Sequence, residues 1–367
     1  MKLGDKELEK LLLELCSANT TNPPGNEDRA VEILQRVLVD RNVHIEIQKV
    51  AENRSNLVAR LQRDQALPYL LLSGHMDVVP AGSNWDSDPF KPELVDGKLF
   101  ARGSADMKGG LSALTAALID LSEDSDFSGN VALVATCDEE VGCSGIRHFL
   151  EHQTFDVSGV IIGEPTSLRL ATGEKGAIWL KLKFRGKSAH GSQPQNGINA
   201  VTRLFSAYTE LSQVLGKIEG LTESLNIIRG GSKENTVPDE AECVIDIRFA
   251  ENTDSAEIIA LVDSVLCKYN QSEKIILLSR ESFSSSGNLT ESVKEVLKEK
   301  AMNAEELTMT YFTDGAFTAS QGIETVVLGP GSPSMAHRSN EYVELEEVHV
   351  ARRLYSKIAR NYFERTR

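Results

Sequence analysis

At 367 residues the chain is longer than one compact core sustains, which points to two domains. Charged residues make up 25% and hydrophobic ones 41%, the balance of an ordinary globular protein, and a net charge of −15 with no basic stripe speaks against nucleic acid as a partner. No apolar run approaches the roughly 18–20 residues of a membrane span, so no membrane partner is expected.

In chain order, the stretch MKLGDKELEKLLLELCSANT sets acidic residues among leucines and lacks a signal-peptide cleavage pattern. It reads as an amphipathic helix. The runs YLLLS (69–73), VALVATC (131–137) and GVIIG (159–163) read as buried strands of a largely parallel sheet. Met107, Leu111, Leu114, Leu118 and Leu121 recur at helical spacing between the first two and supply the crossover helix. A strand of the same type returns late as TVVLG (325–329). These elements predict an α/β catalytic domain with a mainly parallel sheet flanked by helices.

The middle of the chain has a different rhythm. IWLKLKF (178–184) alternates like a strand with one wet face, and a helix follows with Val201, Leu204, Phe205, Tyr208, Leu211 and Leu215 on one side. Strands SLNIIR (224–229) and AECVIDIRF (241–249), a helix near 254–269 and strand KIILL (274–278) complete a β-α-β-β-α-β order, the ferredoxin-like arrangement. It reads as a compact α+β domain over 176–284 inserted into the larger unit of 1–175 and 285–367, with SSSGN (284–288) as the linker back.

Polar clusters recur at the carboxyl ends of the predicted strands. His75 and Asp77 follow the first, Asp138, Glu139 and Glu140 the second, and Glu164 the third; His337 follows the late strand and Asp106 opens the crossover helix. In open α/β sheets that edge is where ligands bind. A lone carboxylate there caps a helix or faces solvent, but convergent clusters mixing His with Asp and Glu indicate a metal centre. Histidine with carboxylate suits zinc, cobalt or manganese, and the donors are enough for two ions sharing one carboxylate. Cys16, Cys137, Cys143, Cys243 and Cys267 are odd in number and lack C-x-x-C spacing, which fits reduced thiols in a cytoplasm and disfavours a cysteine zinc site. Paired metals about 3.5–4 Å apart are a hydrolytic device, and adjacent Glu139 and Glu140 suit one base and one ligand. Asp77, two residues from His75, can accept its remaining ring N–H.

SGHMDVVPAG, ARGSADMKGG, TCDEEVGCSG, GEPT, GKSAHGSQPQNGINAV, ENTVPDEAECVIDIRF and GPGSPSMAHRSNEYV run in order across nearly the whole chain. Together they resemble the dinuclear zinc family of acetylornithine deacetylase, succinyl-diaminopimelate desuccinylase, aminoacylase and glutamate carboxypeptidase. The resemblance implies two Zn2+, replaceable by Co2+ or Mn2+, with Asp106 bridging, His75 and Glu164 completing one site, and Glu140 and His337 the other. It implies Glu139 as general base, a cis bond between Asp106 and Met107, and an inserted domain serving as lid and dimerisation domain. On that domain His190 would stabilise an oxyanion, while Arg248 and Asn235 would bind the substrate. The implied activity is a cytoplasmic homodimeric deacylase acting on a small N-acyl amino acid. A carboxypeptidase or dipeptidase of the same family is the alternative, and a non-catalytic binding protein on this fold is the reading from another class. Members that cut from the amino end of peptides tend to carry Asp where this chain has Glu164. The lid motif SAHGSQP departs from the usual desuccinylase pattern around its histidine.

HFLEH (148–152) matches the inverted zinc-protease pattern literally. Ile146, Phe149 and Leu150 form that helix's apolar face, however, which sends His148 and His152 to the solvated side. His44 and His349 read as surface or packing residues, and no G-x-S-x-G elbow occurs to support a serine hydrolase.

Overall fold

The computed structural model describes residues 3–251 and 253–366, and these fall into two compact units. The first unit comprises 1–172, 285–308 and 313–367, and the second 173–284 with 309–312. Residues 173–175 and 309–312 thus lie with the second unit, where the sequence pattern placed them with the first.

The first unit is built on strands β1 (His44–Ala51), β2 (Arg54–Leu61), β3 (Tyr69–His75), β4 (Asn130–Thr136), β5 (Val157–Ile162) and, after the second unit, β10 (Glu324–Val327). Their order in the sheet is β1-β2-β4-β3-β5-β10. The pairs β3·β4, β3·β5 and β5·β10 are parallel. β1·β2 and β2·β4 are antiparallel, so a hairpin extends the parallel sheet at one side. Every residue of β3 and of β4 is buried, as strands covered on both faces must be.

Helices flank this sheet. α1 (Asp5–Ser17) buries Leu8, Leu11, Leu12, Leu15 and Cys16, one stripe at helical spacing, and Glu7 accepts the Gly4 N–H at 2.6 Å to close its first turn. The crossover helix α3 (Gly109–Ser122) is buried nearly all round. Its Gly110 has a local reason: a Cβ there would sit 1.9 Å from the Gly163 carbonyl oxygen, so only glycine lets the helix start approach the residue before Glu164.

The second unit carries β6 (Gly176–Arg185), α5 (Ala200–Leu215), β7 (Thr222–Gly230), β8 (Glu240–Phe249), α6 (Ser255–Leu266) and β9 (Ser272–Arg280). The sheet order is β7-β8-β6-β9 with antiparallel neighbours, the ferredoxin-like topology. Ile178, Leu180, Leu182 and Phe184 from β6 alternate into a core with Leu204 and Leu211 of α5 and Ile258 and Val262 of α6. Among the described residues no helix is long and apolar enough to cross a membrane.

Candidate metal centre

Four neighbouring parallel strands, β4, β3, β5 and β10, end at one sheet edge, and the polar residues just beyond those ends meet there. His75 is the last residue of β3 and is 1% exposed. Glu139 and Glu140 sit in the turn after β4, Glu164 lies just past β5, and His337 belongs to the loop after β10. Asp106 arrives from the turn that opens into α3, and its bond to Met107 is cis.

His75 Nδ1 lies 2.9 Å from the main-chain carbonyl of Asp77. A carbonyl oxygen only accepts, so Nδ1 carries a proton and Nε2 is the free coordinating position. That nitrogen faces Asp106 Oδ1 at 3.2 Å and Glu164 Oε1 at 3.3 Å, with Glu139 Oε2 at 3.9 Å. The other Asp106 oxygen, Oδ2, lies 3.4 Å from His337 Nε2, which is also 3.0 Å from Glu140 Oε2. One Asp106 oxygen therefore faces each histidine. Donor atoms of His75, Asp106 and Glu140 lie within 4.8 Å of one another, as do those of His75, Glu139 and Glu164.

So many carboxylates in one buried space demand positive charge. Burial opposes a charged imidazole at His75, yet Glu164, Asp106 and Glu139 outweigh it and hold its pKa well above the usual value. Hydrogen bonds to Asp106 and Glu140 push His337 up to about 10. Burial and the Asp106 charge push Glu164 up to about 8. Burial also drives Glu139 well above the carboxylate range, with His75 opposing and Glu164, Glu140 and Asp314 adding to the rise. Glu140 Oε1 is buried and has no hydrogen-bond partner among the described residues. An acceptor left over in this way suits a cation, and the His-plus-carboxylate donor set is that of a divalent transition metal.

Asp77 works differently from the reading drawn from its spacing. Its backbone carbonyl, not its carboxylate, takes the close contact with His75; Oδ1 stands 3.6 Å from Nδ1. The carboxylate instead accepts the backbone N–H of Glu139 at 3.1 Å and of Glu140 at 3.2 Å, together with Asn22 Nδ2 at 2.8 Å. Asp77 therefore holds both the histidine and the turn that presents the two glutamates. Asn22 also donates to Asp138 Oδ1 at 2.9 Å, and Arg54 ties Asp138 to Glu27. Sequence reasoning missed Asn22, Glu27 and Arg54, because nothing in their spacing marks residues so far apart as neighbours. It also passed over Cys143 and Asp314, which form a third donor group with Glu139.

The remaining predicted residues lie in the second unit. His190 is exposed, pairs across a β-bridge with Thr236, and the adjoining Gly191 N–H donates to the Asn235 carbonyl at 2.6 Å, which brings His190 and Asn235 together. Arg248 is on the wetter face of β8, where Nε and Nη2 donate to Asp246 at 2.8 and 3.2 Å. In α4 (Ser144–His152), Ile146 and Phe149 are buried while His152 is exposed and stacks on His148 at 4.1 Å, outside the convergent set. Among the described residues no cysteine is joined in a disulfide.

A model of peptidase family M20/M25/M40 matches residues 71–361. A probable succinyl-diaminopimelate desuccinylase of Staphylococcus aureus (strain MSSA476) is 30% identical over 385 aligned positions, spanning 93% of this chain and 94% of that protein. Among solved structures, a tripeptidase of Staphylococcus aureus superposes with a TM-score of 0.84 at 21% identity, over 99% of this chain and 100% of that one. A Bacillus subtilis protein described as a dinuclear metal-binding peptidase superposes with a TM-score of 0.70 at 16% identity, over 97% of both chains. At these identities the two structures establish the fold.

Proposed function

The chain belongs to peptidase family M20/M25/M40, and on that premise we propose that it is a deacylase that hydrolyses the amide bond of N-acylated amino acids at a pair of divalent metals. The observation that carries the reading is the placement of Asp106, with Oδ1 at 3.2 Å from His75 Nε2 and Oδ2 at 3.4 Å from His337 Nε2. So placed, Asp106 would be shared by two ions, with His75 and Glu164 the residues that would hold one and Glu140 and His337 those that would hold the other. Zinc is the proposed metal, with cobalt or manganese able to replace it. When bound, such a pair acidifies water and withdraws electrons from the scissile carbonyl.

The residues supply the rest. Glu139 takes the proton of the attacking water and returns it to the departing nitrogen. Asp77 fixes the turn through the Glu139 and Glu140 amides, so the base and its neighbouring ligand cannot drift apart. In the second unit, taken as the lid and dimerisation domain of a homodimer, His190 donates to the developing oxyanion, and Arg248 with Asn235 binds the substrate carboxylate. A location in the cytoplasm suits the free thiols.

The name of the desuccinylase relative supports N-acyl amino acids as the substrate class. The alternative within the family is a carboxypeptidase or dipeptidase. A panel of N-acetyl, N-succinyl and dipeptide substrates, assayed with zinc, cobalt and manganese, tests the choice. Metal-dependent turnover greatest on an N-acyl amino acid is expected. Turnover of dipeptides alone would move the assignment to the peptidases, and no turnover of any substrate would favour a binding protein.

A further inference from the structure

Glu341 is completely buried, four residues beyond His337 and more than two hundred residues from Asp106. Its Oε1 accepts the backbone N–H groups of Ala105 at 2.8 Å and Asp106 at 3.0 Å. Its Oε2 accepts Arg102 Nη1 at 2.6 Å and the Gly103 N–H at 2.9 Å. Four donors on one carboxylate leave its acceptor capacity filled, and three of them are main-chain groups of the turn that presents Asp106. The guanidinium is itself held, since Arg102 Nη2 donates to the Ala81 carbonyl at 3.2 Å. The loop bearing Glu341 is pinned from outside as well: Ser339 Oγ donates to the Ser83 carbonyl at 2.7 Å and Asn340 Nδ2 to Asp86 at 2.8 Å.

We infer that Glu341 is a positioning residue that locks the Asp106 turn to the His337 loop and so sets the geometry of the second metal position. Asp106 and His337 come from segments joined further out by the antiparallel pairing of 98–100 with 342–344, and the Glu341 carboxylate adds the side-chain tie that reaches the Asp106 amide itself, next to the 3.4 Å approach of His337 Nε2 to Asp106 Oδ2. The first position depends on this tie through one ligand, Asp106. The second depends on it through two, Asp106 and His337. The inference rests on the metal pair proposed above. Glutamine cannot replace this carboxylate cheaply, because at 341 it would face two of the four buried donors with its own NH2, whichever way it turned.

The test is titration of the metal-stripped full chain with cobalt(II) alone, read by visible absorption and by heat. Wild type should take up two equivalents. In Glu341→Gln, the equivalent that His337→Ala also weakens should lose about 10–100-fold in affinity, the usual scale for an outer-shell partner, while the other changes much less. Equal weakening of both equivalents, or wild-type affinity at both in a protein that still melts cooperatively, overturns the inference. Fewer than two equivalents in wild type would instead overturn the metal pair itself, so the two failures are distinct. If Glu341→Gln does not melt cooperatively, Arg102→Lys, which leaves the three amide bonds and a positive charge, is read by the same selective loss, with the same equal weakening or lack of change counting against it.

Discussion

Glu139 owes its placement to what grips its backbone rather than to contacts of its own carboxylate. The Asp77 carboxylate takes its amide at 3.1 Å, and the side chain is left 3.9 Å from His75 Nε2, farther than Asp106 and Glu164. Glu139→Gln removes the proton acceptor and keeps the ligands, so metal content should stay at the wild-type level while turnover falls about 10²–10⁴-fold, the typical worth of general acid–base catalysis. Metal analysis and steady-state rates check this; wild-type turnover in the variant would remove Glu139 from the role of base. The identities of the clustered residues were legible at this scale because most of them follow an apolar strand run and Asp106 opens a helix of apolar period. The role of Asp77 was not. Two-residue spacing says that Asp77 is near His75, but not whether carbonyl or carboxylate meets the ring. Glu341 and Asn22 were invisible for a simpler reason, since their partners are distant in sequence and no local pattern announces a buried tie.

Among the elements, α4 makes the sharpest contrast between pattern and place. Its HFLEH run satisfies a zinc-protease motif, yet Ile146 and Phe149 are buried, the two histidine rings stack with centroids 4.1 Å apart, and neither histidine belongs to a candidate metal group among the described residues. Replacing His148 and His152 together with alanine should leave bound metal and rate within about twofold of wild type, as surface changes away from special contacts do. A large loss of metal, measured on the dialysed variant, would reinstate the motif. Period-two alternation in β6 and β8 and continuous apolar runs in β3 and β4 made those strands readable. The β1–β2 hairpin was not read. β1 does alternate Ile45 and Ile47 with His44, Glu46 and Gln48, but neither isoleucine is buried and Gln48 is the single buried residue, so the apolar positions do not mark a core face.

At the scale of the molecule, the chain builds a parallel sheet whose strand ends gather the candidate metal donors and interrupts it with a ferredoxin-like unit at 173–284. The switch of hydrophobic period from continuous runs to strict alternation made that division legible. Residues 309–312 join the second unit without any such change in pattern, which is why they escaped notice. The proposed roles of Glu139, the histidines and the Glu341 tie all depend on Asp106 serving two ions at once. X-ray absorption at the zinc edge of the loaded chain tests it most directly. A metal–metal scattering path at about 3.5–4 Å, the separation of paired hydrolytic metals, is predicted; two zinc ions per chain with no such path would contradict the bridge.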